Sequence, residues 1–137
     1  MIRQGFYRLM ITYYNGWAEF ESIYGDIDLV VRYLKRALKY AEKLKGVAST
    51  EYDKQVAEAN IRKNRLILSL FEDKISLSEF KAGMMELERY PLAFARGRED
   101  IGTAKEAIEG TIHRIEYTYD RYDVRYPVYD MHRCGDR

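Results

Sequence analysis

The 137-residue chain is predicted to be all-α, a four- or five-helix antiparallel bundle or an irregular helical domain with an aromatic-rich C-terminal tail. Three observations predict this class. Bulky apolar residues recur three and four positions apart through most of the chain, the period of an amphipathic helix rather than of a half-buried strand. Proline occurs only twice, so little interrupts those stretches. A composition of 47% hydrophobic and 33% charged residues supplies one core and opposes disorder, and the length suits one domain rather than two. Residues 1–123 are assigned to that domain and 124–137 to the tail.

The first stripe comprises Phe6, Met10, Tyr13, Trp17, Phe20 and Tyr24. The spacing continues through Ile27, Val31, Leu34, Leu38 and Ala41, which fits either one long coiled-coil-like helix or two helices. Two are favoured, because Gly25 weakens a helix interior and Asp26 or Asp28 can accept the free amides of a new N-terminus. The second helix should end near Lys45-Gly46. Ser49 or Thr50, the latter with Asp53 three residues on, starts a third whose stripe holds Tyr52, Val56, Ala59, Leu66 and Leu70. Lys63 shares that register and is expected to snorkel at an edge.

Ser76 with Glu79 forms the clearest capping box, opening a fourth helix with Leu77, Phe80, Met84 and Leu87 inward and an exit at Tyr90-Pro91. From Asp100 or Thr103 to about Asp123, the residues Ile101, Ala104, Ile108, Ile112, Ile115, Tyr119 and Tyr122 mark a final helix. The aromatic tail alternates, but Pro127 disfavours an interior strand.

Composition also narrows function. The net charge of +1 exerts no global pull on nucleic acid or an anionic surface. Cys134 is the only cysteine and cannot close an intrachain disulfide. The first residues run into Tyr, Trp and Glu rather than a signal-peptide core, and no run approaches the roughly 18 apolar residues of an integral membrane segment. The expectation is a cytoplasmic or otherwise intracellular protein.

Catalytic and metal chemistry find little foothold. Glu109, His113 and Glu116 share one helix face, but a ferritin-like site needs paired Glu-x-x-His arrangements and the chain has no second copy. His132 and Cys134 lack an orienting third group. The segment ending at Glu79 resembles the end of an EF-hand loop, yet Leu68 and Leu70 stand at ligand positions and Asp73 where the sharp turn needs glycine, so calcium binding is rejected. There is no phosphate loop or dinucleotide fingerprint. No catalytic residue, metal or cofactor is assigned, and an enzyme ranks third.

Two surface features remain. Thirteen tyrosines, each an apolar face with a polar tip, suit a wet core rim or a contact surface. The first expectation is therefore a noncatalytic helical interaction, accessory or regulatory module, self-associating or binding a protein partner through Phe6, Tyr13, Trp17 and Phe20. The alternative is a nucleic-acid-associated module, for DNA or RNA. Arg32, Lys35, Arg36, Lys39 and Lys43 fall within a sector of roughly 100 degrees on the second helix. Arg32, Arg36, Lys39 and Lys43 are assigned to phosphates, with Arg62, Lys63 and Arg65 enlarging the ridge if the third helix lies beside the second, and Tyr33 and Tyr40 flank it, placed to stack on bases or pack against protein.

Overall fold

A computed structural model describes residues 2–94 and 104–122. Five α-helices run through them: α1 (Ile2–Tyr24), α2 (Ile27–Val47), α3 (Glu51–Phe71), α4 (Leu77–Met85) and α5 (Ala104–Tyr122), with short 3-10 segments at Glu86–Arg89 and Pro91–Phe94. No strand occurs among the described residues, so the domain is all-α as predicted. Ile101, His132, Cys134 and the tail assigned to 124–137 lie outside them.

The helix boundaries follow from local chemistry. Gly25 takes a φ of 132°, a left-handed conformation that ends α1 and that side chains resist. The Asp26 carboxylate then accepts from the amides of Asp28 and Leu29 at 3.0 and 3.3 Å, starting α2 as a separate helix. Thr50 Oγ1 accepts from the Asp53 amide at 3.1 Å and starts α3. At α4, Ser76 Oγ accepts from the Glu79 amide at 3.0 Å while Glu79 Oε1 accepts from the Ser76 amide at 2.8 Å. The fourth helix was expected to run to Tyr90, but its α-helical part stops at Met85. Pro91 disfavours the α conformation at Tyr90, and the approach to it tightens into a 3-10 turn that buries Leu87.

α1 and α2 form an antiparallel hairpin, with Gln4 Nε2 donating to the Val47 carbonyl at 2.6 Å across its open end. α3 runs back along α2 and is the central helix, burying residues from Asp53 to Phe71 on a wide face. Against it and α5, Phe80, Leu70, Met84, Leu87 and Ile108 form the main core. Ile11, Ala41, Leu44, Val56, Ala57 and Ile61 fill the other end. Tyr52 departs from expectation: in the first turn of α3 it is 47% exposed rather than buried.

α1 is the unusual element, since only Ile11, Ala18 and Ser22 are buried. Its inner side is largely polar. Arg8 pairs with Asp53 at 2.6 Å, Asn15 donates to Asn60 Oδ1 at 2.9 Å, and Glu19 accepts from Arg114 at 2.6 Å. Fully buried Asn64 donates to both Asn15 Oδ1 and the Leu34 carbonyl, tying α1, α2 and α3 together. Breaking the Arg8 pair leaves the Asp53 carboxylate, whose side chain is only 4% exposed, without its counter-charge. Arg8→Met should therefore lower the unfolding free energy by about 2 kcal/mol in urea titration, reduced from a fully buried pair because Arg8 is partly solvated.

Candidate functional site

With its polar side turned inward, α1 presents its largest apolar side chains to solvent. Ile2, Phe6, Leu9, Tyr13, Trp17, Phe20 and Tyr24 are all exposed, from 41% at Trp17 to 89% at Ile2. All four aromatic residues assigned to an interface therefore lie on one accessible face. Phe6, Met10, Tyr13, Trp17, Phe20 and Tyr24 step by four and three, the a/d spacing with which one helix inserts side chains between those of another. No charged residue falls on this seam. Within the middle of α1, Arg8 and Glu19 point to α3 and α5 instead.

The seam is backed by a second row of rings. Phe6 meets Tyr40 edge-on at 6.0 Å, Tyr14 stacks on Tyr40 at 6.0 Å and on Tyr33 at 6.1 Å, and Tyr33 lies 6.3 Å from Trp17. Trp17, Phe20 and Tyr24 continue the line at 5.5 and 4.7 Å. Such ring pairs restrict one another, so the exposed aromatics stand on a packed layer rather than swinging freely.

The basic ridge lies beside this layer on α2. Arg32, Lys35, Arg36, Lys39 and Lys43 are all exposed, and none makes an ion pair among the described residues. Arg36 sits 5.7 Å from the Tyr14 ring and Lys43 5.9 Å from the Tyr40 ring. The expected extension from α3 does not form. Arg65 is held by Glu42 at 2.7 Å, Arg62 lies 3.8 Å from Glu58, and Lys63 faces the opposite side of α3. α3 does pack beside α2, but its cations are drawn to local carboxylates or turned away. On α5, Glu116 of the Glu109, His113 and Glu116 set is engaged by Lys81 at 3.0 Å.

Lys63 was expected at an edge. It is half-buried and lines a cavity of about 560 Å³ between α1, α3 and α5, with Asn15, Glu19, Asn60, Thr111 and Arg114 around it. Burial, and then the positive charge of Arg114, push its pKa from 10.5 down to about 8, while Glu19 pulls it the other way. The sequence signal was its place in an apolar register. The cavity itself had none, because its walls come from helices far apart in the chain.

Compared with known proteins, the chain matches no family model, no curated protein and no solved structure. The geometry of these surfaces therefore carries the functional argument.

The lowered Lys63 pKa has a defined consequence for stability. Below about pH 8 the amine is charged in both states and the folded state bears its desolvation, whereas from pH 8 to 10.5 the folded state increasingly holds the neutral amine. Lys63→Met should be the more stable protein at pH 7, by about 2 kcal/mol. That gap should narrow between pH 8 and 10.5, as followed by urea unfolding at each pH.

Proposed function

We propose that the protein is a noncatalytic helical interaction module that pairs with a second copy of itself through the outer face of α1. The observation that carries this reading is the uncharged, exposed a/d seam from Phe6 to Tyr24. With Ile2 and Leu9 on its flank, this face exposes roughly 800 Å² of large side chains, on the order of one partner's share of a standard interface. An identical seam is its natural complement, because a two-fold contact places the same surface on both sides. A seam without charge offers nothing to select an acidic or basic partner. The ring layer beneath supports the reading too, since side chains already ordered lose less freedom on association.

Light-scattering mass across a concentration series tests it. A dimer mass that is unaffected by salt is expected, and Tyr13→Glu with Phe20→Glu should yield a folded monomer, because both residues are exposed in a single chain. A monomer at every concentration would overturn self-association.

A second reading rests on the ridge. Five exposed cations without carboxylate partners among the described residues, with tyrosines beside them, suit sequence-tolerant contact with a nucleic-acid backbone. On this reading, single-stranded DNA and RNA should bind with an affinity that falls steeply as salt rises. Arg36→Glu with Lys39→Glu should weaken binding at least tenfold for all sequences, measured by fluorescence anisotropy. Unchanged affinity would remove the ridge from the function.

A further inference from the structure

The cavity between α1, α3 and α5 lies on the opposite side of α1 from the proposed pairing seam, and neither reading above uses it. Its charges are unevenly satisfied. From α1, Arg8 is taken by Asp53 and Glu19 by Arg114. From α5, Glu106 is exposed at the rim and already engaged. The Lys63 ammonium has no hydrogen bond or ion pair among the described residues, although it is half-buried on the wall. α2 contributes only Val30 and Leu34, which leave that side apolar.

Further hydrogen-bond donors, two neutral and one charged, line the same cavity. Asn15 commits an amide hydrogen to Asn60 Oδ1 and Asn60 one to the Val56 carbonyl, so each amide retains a second hydrogen. The Arg114 guanidinium, with one nitrogen on Glu19 and Thr111, has further donors as well. A volume of about 560 Å³ falls in the range of small-molecule sites.

We propose that this cavity binds a small oxyanion, with Lys63 Nζ as its counter-charge and Asn15, Asn60 and Arg114 as the neighbouring hydrogen-bond donors. The recognised chemistry is the carboxylate or phosphate oxygen itself. A bound anion favours the charged amine, so it raises the Lys63 pKa from about 8 toward its ordinary value. The reverse linkage makes binding depend on the protonated fraction. With a midpoint near 8, that fraction falls about tenfold from pH 7 to pH 9, and the apparent affinity falls with it.

The test follows Lys63 by NMR of lysine-labelled protein through a pH titration, with acetate, inorganic phosphate or chloride at one ionic strength. Acetate or phosphate should move the Lys63 midpoint upward while chloride does not. Acetate keeps its own charge above pH 7, so calorimetry with it should show about tenfold weaker binding at pH 9 than at pH 7. Lys63→Arg, which stays charged, should retain binding at pH 9, and Lys63→Met should lose it at both pH values with helicity intact by circular dichroism. An unmoved Lys63 midpoint with both anions, or acetate binding that persists in Lys63→Met, would overturn the proposal.

Discussion

The rotation of α1 about its own axis governs the rest of this structure, and polar contacts set it. Gln4 reaches the Val47 carbonyl, Arg8 the Asp53 carboxylate, Asn15 the amides of α3, and Glu19 the Arg114 guanidinium. These partners come from three other helices and all lie on one side of α1. Burying a large apolar side chain stabilises a fold by about 1.5–3 kcal/mol, so hydrophobicity alone would have turned the aromatic stripe inward. The polar row holds the opposite orientation. The large apolar side chains of α1 are thereby left exposed.

α3 makes that arrangement possible. It carries Asp53, Asn60 and Asn64 on the side that receives α1, among otherwise apolar buried residues. Asn64 contacts two helices at once, yet its Oδ1 has no hydrogen-bond partner among the described residues, and an unsatisfied buried acceptor costs about 1–3 kcal/mol. An amide that tolerates such a cost while bridging α1, α2 and α3 is well suited to fixing register, because a slipped pairing would leave still more polar atoms unmatched.

The same polar frame separates two kinds of positive charge. On α2 the cations stand in solvent, Arg36 and Lys43 next to tyrosine rings, with no ion pair among the described residues, where salt screens them strongly. Lys63 instead faces a partly enclosed cavity, where apolar side chains such as Val30, Leu34 and Ile67 strengthen the remaining electrostatic contacts. Arg62 and Arg65, one turn or less away, are neutralised by Glu58 and Glu42. Neighbours in sequence thus have different electrostatic roles because successive positions on a helix face different partners.

The helices and most of their starts were legible in the linear chain. Capping at Asp26, Thr50 and Ser76, the glycine break at Gly25 and the proline exit at Tyr90-Pro91 all act over a few residues, so the pattern of residues determines them locally. The spacing of Phe6, Tyr13, Trp17 and Phe20 likewise marked one helical face. Which way that face points was decided by tertiary structure, since both an apolar core and an exposed seam have the same period. Tyr52 turning outward, Arg65 meeting Glu42 and Lys63 meeting a cavity have the same origin. A helix's periodicity is a property of its own residues, but its phase is set by partners far off in the chain, 23 positions in the Arg65–Glu42 pair and 49 in the Asn64–Asn15 bond.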